Sequence, residues 1–422
     1  MDQFQEQLDI LRQRIARVTE RCNQKYSSTE LPPPPPEPEL PRPAHVYIEE
    51  WLGGEEVDTV HGRHFETEKL YERHRRHGSA DVGSLADLPH DLLDIISGGA
   101  VCSASPEEWA FLDTETTGLA GGTGTCAFLV GVGRITPEGF RVRQFFMRDY
   151  GEEASLLDAL SRHLAPFRVL ISYNGRAYDQ PLLETRYRLN RARPPFTRLE
   201  HLDLLYGARR LWKLRFESCR LVDLENQVLG VERQGDLPGA LIPYVYFEYL
   251  RTRQAARILP VFQHNATDIL TLACLTGIVP HAFKDSPGAR LRHGAEMAGI
   301  ARWLREAGEM AQALKLFRRA IDAGLADELL FRTLWDVALL ERKLSNADAA
   351  LATLSDLAGS KNPFRVRALE ELAKHYEHRE KNYVMALEMT RAALEHEDSP
   401  DLRKREVRLL KRASSPRSRR LL

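Results

Sequence analysis

The amino-acid sequence predicts an α/β domain with a mixed β-sheet, followed by an all-α domain of helical repeats. From Glu108 onward, short apolar segments with the period of strands alternate with amphipathic segments that have the period of helices. After Leu291 the strand patterns stop and pairs of helical segments recur. The chain has 422 residues, 43% of them hydrophobic and 28% charged. These values are typical of a protein with a buried core and about two or three domains.

Three segments precede the α/β domain. Residues 1–30 carry apolar side chains at gaps of three and four, which predicts an amphipathic helix that either packs on the body of the protein or pairs with another helix. Residues 31–43 are rich in proline and are interpreted as a polyproline linker rather than an SH3-type ligand. Residues 44–104 are expected to be an extension that packs against the next domain. Within this extension, Asp87–Gly99 predicts a short helix closed by glycines.

Residues 105–285 form the predicted α/β domain. Three strands come first, in WAFLDTE, AFLVGVGRI and RVRQFFM, with a hairpin turn at Pro137–Gly139 between the last two. A helix in ASLLDALSRHLAPF, a strand in RVLISYNG and a helix in YDQPLLETRYRLNRA follow. Helices are then expected to fill Leu199–Gly277. This order of elements resembles the connectivity of the RNase H core.

Residues 290–397 are predicted to form TPR-like helical repeats. Three helical segments contain an Ala-Leu pair, beginning at Ala313, Ala350 and Ala386, so that the pairs recur at about the period of tetratricopeptide units. Small residues at these positions allow paired helices to approach closely. Three such units are enough for a small solenoid, which indicates a possible protein partner rather than a second chemical activity.

Composition excludes several other classes of protein. The five cysteines are scattered, odd in number and form no CxxC pair, which argues against a disulfide framework or a zinc site and favours a reducing compartment. The N-terminus lacks the apolar core of a signal peptide, and the apolar stretches look too short to cross a bilayer. We therefore expect a cytoplasmic protein without a membrane partner.

The net charge of −1 gives no overall attraction to nucleic acid, so such binding would depend on local basic patches. The tail, residues 398–422, is basic and is interpreted as a solvated helix face or a frayed terminus rather than a phosphate-binding segment. A second patch is expected to contact phosphates. It consists of Arg186, Arg188, Arg191, Arg193 and Arg198.

Two acids on the first strand of the α/β domain are the strongest sign of chemistry. Asp113 and Glu115 are two residues apart, so their side chains lie on the same face of the strand. Two adjacent carboxylates repel one another and resist burial unless cations lie between them. The apolar residues before Asp113 make an exposed strand end improbable. Oxygen ligands without nearby cysteine favour Mg²⁺ or Mn²⁺ over zinc.

Two further motifs follow along the chain. Asp179 lies near a helix start, just after a turn at Asn174-Gly175, and by itself it would be interpreted as an acid favoured by the helix dipole. His264 and Asp268 are four residues apart and share a helix face, a spacing that by itself usually indicates a surface hydrogen bond. These residues indicate a functional site because the three motifs follow one another in a particular order along the chain.

This ordered set resembles the DEDD 3′–5′ exonuclease superfamily, whose members have an RNase H-like fold. It is similar in particular to the YprB-like proteins, which join such a domain to TPR repeats. The likeness covers Glu55–Ile278, including HLDLLYGARRLWKLRFESCRLVDLENQVLGVERQGDLPGALIP, and more weakly the helical tail. One position departs from the superfamily. Its members have either a tyrosine four residues before the last acid or a histidine five residues before it, whereas here His264 stands four residues before Asp268.

The resemblance implies a metal-dependent nuclease, most readily a 3′–5′ exonuclease acting on DNA or RNA. It implies that two Mg²⁺ or Mn²⁺ ions are held by four carboxylates and that His264 acts as the general base. Alternatives are a nucleic-acid-binding scaffold with a nuclease-like domain and an RNase H-type endonuclease. Asp203 is a secondary candidate, either beside the ligands or close to substrate. The implied metal ligands are Asp113, Glu115, Asp179 and Asp268, and the implied substrate-binding residues are Thr116, Leu119 and Asn174.

Overall fold

A seven-stranded mixed sheet lies at the centre of the α/β domain. The computed structural model describes residues 48–99, 101, 103–118, 124–284 and 291–414. The predicted N-terminal helix and proline-rich linker therefore lie outside the described residues. The strands are β1 (Gly54–Thr59), β2 (Gly62–Glu72), the short β3 (Arg76–His77) and β4 (Ala80–Asp81), β5 (Trp109–Thr116), β6 (Ala127–Thr136), β7 (Gly139–Phe146), β8 (Val169–Ser172) and β9 (Glu200–Asp203).

The strand order in the sheet is β1-β2-β7-β6-β5-β8-β9, with β3 and β4 forming a separate pair. Strands β5, β6 and β7 pair in antiparallel fashion, whereas β8 is parallel to both β5 and β9. The mixed sheet and the predicted order of three strands, a helix, a strand and a helix are thus confirmed. Two expectations change. Residues 44–104 supply β1 and β2 to the sheet itself, and β9 interrupts the region Leu199–Gly277, which was expected to be wholly helical.

The helices of the α/β domain are α1 (Ile48–Trp51), α2 (Asp94–Ser97), α3 (Glu153–His163), α4 (Asp179–Leu189), α5 (Leu204–Trp212), α6 (Leu221–Leu224), α7 (Ile242–Thr252) and α8 (Ala255–Lys284). Helix α2 ends at Gly98, which has a left-handed conformation, as the glycines there predicted. The C-terminal helices are α9 (Gly294–Glu306), α10 (Met310–Asp322), α11 (Asp327–Lys343), α12 (Ala347–Gly359), α13 (Arg365–His378), α14 (Tyr383–Leu394) and α15 (Pro400–Ser414).

Both faces of the sheet are covered, which explains why its central strands are apolar without interruption. Along β5, Trp109 and Phe111 belong to one hydrophobic core and Ala110 and Leu112 to the other. All four side chains are at most 1% exposed. Because side chains alternate along a strand, a strand buried on both sides has no polar face. The acids of β5 therefore follow directly on a fully buried segment.

Helix α8 packs directly on the backbone of β6. A Cβ atom added to Gly131 would lie 2.2 Å from the Asn265 side-chain oxygen, and one added to Gly133 would lie 2.5 Å from Cγ2 of Ile269. Both distances are shorter than any real contact, so these positions require glycine. The two glycines in AFLVGVGRI thus allow the close approach of strand and helix.

Helix α8 has the length and apolar composition of a membrane span, so the expectation that the apolar stretches are too short to cross a bilayer is wrong for this helix. In its most apolar window, 67% of the residues are buried inside the protein. Core helices of ordinary folded domains show the same combination of length and burial. Its burial against the sheet accounts for its apolar composition.

His163, the last residue of α3, is a buried histidine that we expect to make stability depend on pH. It packs against Phe145 and Phe167, and its Nε2 is buried without a hydrogen-bond partner in the described structure. Burial, helped by the charges of Arg143 and Arg134, lowers the pKa of His163 from 6.5 to about 4. The unfolded chain therefore binds more protons between these pH values, and stability is lost as the pH falls from 6.5 toward 4.

The test replaces His163 with phenylalanine, which keeps an aromatic ring in the same position. We expect the His163→Phe variant to lose less unfolding free energy than the wild type between pH 6.5 and pH 4, as measured by urea denaturation. The exposed His61 provides the control, and His61→Phe should follow the wild-type profile. Parallel profiles for wild type and His163→Phe would contradict the expectation.

The C-terminal helices pack as consecutive pairs, α9 with α10, α11 with α12 and α13 with α14. Ala313, Ala350 and Ala386 are each at most 4% exposed. Their small side chains therefore lie at the predicted helix contacts. The helical character of this region is confirmed, whereas its relation to TPR repeats stays a prediction.

The basic tail has a structural role that the sequence did not suggest. Its described part is α15, which buries Leu402 and Leu409. Three of its arginines bind the carboxylate of Glu377, a residue only 2% exposed. A buried carboxylate needs such cationic partners. The tail is thus neither frayed nor fully solvated up to Ser414. The arginines are Arg405, Arg408 and Arg412.

Candidate catalytic site

Four acidic side chains come from three elements that meet at one edge of the sheet. Asp113 and Glu115 lie near the end of β5, on one face of the strand. Asp179 is the first residue of α4, which follows β8, the strand parallel to β5. Asp268 lies within α8, which packs on the sheet. Carboxyl ends of parallel strands meet at the same edge, which is where ligands bind in open α/β sheets.

The four carboxyl groups act on one another electrostatically, and we call them the carboxylate cluster. Burial raises the pKa of Asp113 well above its ordinary value, and the charges of Asp268 and Asp179 raise it further. Burial also raises the pKa of Glu115, with Asp113 as the strongest neighbouring charge. For Asp179, burial raises the pKa to about 6, although the hydroxyl of Thr114 favours the charged form. The structure thus brings the four predicted acids together.

Asp113 is held in place by an amide network. Asn265 donates its side-chain N–H to Asp113 Oδ2 at 2.8 Å. Gln144 on β7 donates in turn to Asn265 Oδ1 at 2.8 Å and to the carbonyl of Phe262 at 2.9 Å. Both amides are at most 4% exposed, so their orientation is set by these bonds. The sequence analysis missed them, although Asn265 is part of the HNATD motif.

Asp179 is anchored from β5. Its carboxylate accepts a hydrogen bond from the hydroxyl of Thr114, the residue between the two acids of that strand. The turn before α4 also lies close, because a Cβ atom on Gly175 would be 3.0 Å from Asp179 Oδ2. The glycine of the Asn174-Gly175 turn therefore leaves room for this carboxylate.

Asp268 and His264 belong to an ion-pair network centred on Arg233. The guanidinium of Arg233 binds Asp268 at 2.5 Å, Asp236 at 3.1 Å and the fully buried Glu225. His264 lies between two acids, with Nδ1 at 2.9 Å from Asp236 and Nε2 at 3.7 Å from Asp268. Burial raises the pKa of Asp268, and the charge of Arg233 opposes that effect.

Sequence reasoning also missed Arg233 and Asp236. Both lie in the segment VERQGDLPG, which has neither a helical nor a strand period and was noted only as part of the family resemblance. Their contacts with α8 span 28 to 35 residues along the chain. The only signal in the sequence is an arginine and an acid within a polar turn, a pattern that carries no chemistry of its own.

The carboxylate cluster is not a preformed cage for an ion. Among the residues that the structure describes, no group of three or more His, Cys, Asp or Glu could hold a metal ion as it stands. Protein donors bind three of the four carboxylates. The donor–acceptor pairs are Asn265 with Asp113, Thr114 with Asp179, and Arg233 with Asp268.

The structure describes two of the three predicted substrate-binding residues. Thr116, at the end of β5, donates its hydroxyl to the carbonyl of Gly118 at 2.9 Å. Asn174 has a left-handed backbone with φ of 67°, and its N–H donates to Asp203 at 2.8 Å. Leu119 lies outside the described residues.

Asp203 supports the backbone of the site. It is 4% exposed, accepts hydrogen bonds from the backbone N–H groups of Asn174 and Arg176, and caps α5 through the N–H of Leu205. With both oxygens bound to backbone amides, this carboxylate positions the turn and the helix. Of the two expectations for Asp203, the structure supports a place behind the site rather than contact with substrate.

The arginine run that begins within α4 is mostly engaged in pairing within the protein. Arg186 binds both oxygens of Glu153 at 2.6 Å, and its side chain is only 13% exposed. Arg188 pairs with Glu184 at 2.9 Å, and Arg198 donates to a backbone carbonyl. The expectation that this run contacts phosphates is wrong for Arg186, because its cation is held by a buried acid.

Comparisons with known proteins agree with this architecture. The sequence model for the RNase H superfamily matches residues 110–279, a range that contains all four acids of the carboxylate cluster. The chain is 33% identical over 313 residues to a protein of Bacillus subtilis (strain 168) that is named YprB. The alignment covers 72% of this chain and 75% of that relative.

Proposed function

The chain belongs to the YprB-like family of proteins with an RNase H-like domain, and from this premise we propose that it is a metal-dependent 3′–5′ exonuclease. The RNase H-like domain indicates nuclease-type activity, the hydrolysis of phosphodiester bonds. The proposal adds the direction of cleavage, the metal and the identity of the ligands. DNA and RNA are both substrates to be tested.

The convergence of four acids is the observation that carries the proposal. Asp113, Glu115, Asp179 and Asp268 come from three separate elements, and the first three are acids whose pKa burial and neighbouring charges raise. Such an arrangement destabilises a protein that has only to fold. It is useful where divalent cations are bound, because the cations offset the repulsion.

The donor set fits two Mg²⁺ or Mn²⁺ ions. All four side chains offer hard oxygen ligands, and neither cysteine nor a group of histidines is among them, which favours these ions over zinc. The same side chains would hold the ions once they turn away from their present protein donors. When bound, such ions lower the pKa of water and stabilise charge on the leaving oxygen.

His264 is suited to take a proton from the attacking water. If Nδ1 donates to Asp236, at 2.9 Å, then Nε2 carries no proton and is free to accept one. The Nε2 atom lies on the side of Asp268, which places the base beside the carboxylate cluster. Asp236 is thereby a positioning residue that fixes the tautomer of His264.

We expect Asp236→Asn to lower kcat by about 10²-fold, the lower end of what general-base catalysis contributes. An asparagine can present its amide N–H to Nδ1, and it then favours the tautomer whose Nε2 is protonated. The measurement is kcat on an end-labelled oligonucleotide, with circular dichroism to confirm that the variant folds. Asp236→Glu should restore part of the activity because it keeps an acceptor. A kcat within twofold of wild type in Asp236→Asn would contradict this role.

The proposed activity is tested with single- and double-stranded DNA and RNA, each labelled at one end. Reactions contain Mg²⁺, Mn²⁺ or EDTA. Release of mononucleotides from the 3′ end that EDTA abolishes supports the exonuclease, whereas internal fragments support an RNase H-type endonuclease. If neither mononucleotides nor internal fragments form in Mg²⁺ or in Mn²⁺, the proposal is overturned.

One observation favours a second candidate, a nucleic-acid-binding scaffold. Protein donors bind three of the four carboxylates, with Arg233 acting as the cation for Asp268. A protein that only binds nucleic acid could retain such an internally neutralised cluster. Tight binding of oligonucleotides without turnover in either metal would identify this function.

Two expectations about the cellular setting are also proposals. The helical pairs α9 to α14 would bind a protein partner, as the likeness to TPR repeats suggests, and a pocket between α12 and α13 is available for contact. A cytoplasmic location accords with the free cysteines Cys126, Cys219 and Cys274. Fractionation of cells and capture with the isolated full chain would test these two statements.

A further inference from the structure

We propose that a groove along α5 binds the phosphate backbone of the nucleic-acid strand that leads out of the carboxylate cluster, which rests on the nuclease function proposed above. The groove has a volume of about 610 Å³. We call it the α5 groove. Its lining includes Tyr173, Asn174, Leu205, Arg209, Lys213 and Arg220.

The α5 groove lies next to a turn that also contacts the carboxylate cluster. Asn174 lines the groove, and the next residue, Gly175, lies beside the Asp179 carboxylate, where a Cβ atom would be 3.0 Å from Oδ2. The Asn174-Gly175 turn thus contacts both the groove and the carboxylate cluster. A strand whose terminal phosphodiester lies at the cluster would therefore have the groove close by.

The turn between the cluster and the groove is fixed by Asp203. This buried acid binds the N–H groups of Asn174 and Arg176 and also caps α5 through Leu205. The helix that forms one wall of the groove is thus tied to the turn beside the cluster. The carboxylate of Asp203 thus helps to fix the position of the groove relative to the carboxylate cluster.

The exposed face of α5 is basic. Arg209 and Lys213 line the groove one turn apart, and both are exposed. The opposite face of α5 is apolar and buried, with Leu211 at 2% exposure. Arg220 adds a third cation, which Asp223 partly neutralises at 2.7 Å. Glu217 is the acid in the lining, so cations are in excess and favour an anionic ligand.

An exposed aromatic side chain lies on the same helix as the cations, just outside the lining of the groove. Tyr206 lies one turn before Arg209 and Arg210 on α5 and is 53% exposed. Cations that follow the backbone beside aromatic rings that stack on bases are the usual means of binding single strands. An acidic peptide would satisfy the cations but has no bases for Tyr206. We therefore assign the groove to a single-stranded nucleic acid.

The test is the salt dependence of binding for the full chain in EDTA, so that the measurement does not depend on catalysis. The probes are fluorescent single-stranded DNA and RNA of about 20 nucleotides. Each phosphate contact contributes about 0.7 to the slope of log affinity against log salt for single strands. For the Arg209→Ala/Lys213→Ala variant we expect the slope to be less steep by about 1.4, since two contacts are lost. We also expect at least tenfold weaker binding at low salt.

The matched control is Lys315→Ala/Arg367→Ala, which removes the same two charges from exposed positions on α10 and α13. Its slope should equal that of the wild type. An equal loss in both variants would show that only net charge matters and would overturn the assignment. A wild-type slope in the α5 variant would overturn it as well. The melting temperatures of both variants should match the wild type, because all four side chains are exposed.

Two further outcomes separate this inference from the proposed function. If the protein cleaves in the presence of metal but the salt slope of the α5 variant is unchanged, the role of the groove is rejected and the nuclease function is retained. If binding is weaker in that variant but no metal supports cleavage by the wild type, the role of the groove is retained and the nuclease function is rejected. Competition by poly-glutamate as effective as that by unlabelled oligonucleotide would mark the groove as a general anion site and would contradict the assignment to nucleic acid. Comparison of the DNA and RNA probes shows which strand is preferred.

Discussion

Replacing Asp113 with asparagine should nearly abolish turnover and at the same time raise the melting temperature of the metal-free protein. Asp113 is the first of the proposed metal ligands, and removing one such charge should cost several kcal/mol of transition-state stabilisation, or about 10³-fold in rate. The fold should persist, because asparagine can still accept the hydrogen bond from Asn265 with its side-chain oxygen.

The gain in stability follows from the direction of the pKa shift. Burial and the neighbouring acids raise the pKa of Asp113 above its unfolded value, so the folded protein holds this proton more tightly than the unfolded chain. Its contribution to stability is complete below the unfolded pKa and is lost as the pH rises through the folded pKa. The wild type in EDTA therefore has less of that contribution at pH 8 than at pH 5, whereas the neutral asparagine removes the repulsion at both pH values.

The measurements are kcat in Mg²⁺ and the melting temperature in EDTA at pH 5 and pH 8. The difference in melting temperature between Asp113→Asn and wild type should be larger at pH 8. Asp58→Asn, at an exposed position on β1, serves as the control and should leave both quantities unchanged. Activity retained in Asp113→Asn, or a variant less stable than wild type at pH 8, would contradict the assignment.

Replacing Arg233 with methionine should destabilise the protein by about 3–5 kcal/mol, the usual loss when a buried ion pair is left with one partner. The side chain of Arg233 is 9% exposed and that of its partner Glu225 is fully buried. Methionine retains much of the apolar stem, so the loss reports on charge rather than on packing. His77 and Thr271 remain bound to Glu225, but neither supplies a permanent positive charge.

Urea denaturation in EDTA measures this loss, and Arg188→Met is the matched control. Arg188 forms an ion pair with Glu184 but its side chain is 69% exposed, so its replacement should change the unfolding free energy by less than about 1 kcal/mol. Because Arg233→Met also leaves Asp268 without its cation, Mg²⁺ should stabilise this variant more than it stabilises the wild type. Equal losses in the two variants would show that Arg233 is not a buried structural cation.

The sequence was sufficient for the parts of the fold that follow a period. The apolar strand before Asp113, the hairpin at Pro137–Gly139 and the paired C-terminal helices were all predicted, because burial on one or both faces leaves a regular pattern. Strand β2 was missed because its charged residues follow no regular alternation with its apolar ones. Strand β9 was missed because four residues are too few to show a period.

The site was predictable only where its chemistry is local. Asp113 and Glu115 are close in the sequence, and their shared face follows from the geometry of a strand. The role of Arg233 depends on contacts with residues up to 35 positions away, which no local pattern encodes. Similarly, the basic tail looked solvated because nothing in its own sequence indicates the buried Glu377 that it neutralises.

The absence of a side chain at Gly131 limits which substitutions this position of the protein can accept. Gly131 lies opposite Asp113 in the sheet register and beneath Asn265, and the helix above it carries His264 and Asp268 as well. A methyl group there would lie 2.2 Å from Asn265 Oδ1 and 2.3 Å from Cδ1 of Ile269, so these side chains would have to move, and the amide that holds Asp113 with them. The lack of a side chain at Gly131 therefore sets the distance between β6 and the helix that carries His264, Asn265 and Asp268. Variants that alter it should lose function through displacement, with every polar group of the site still present.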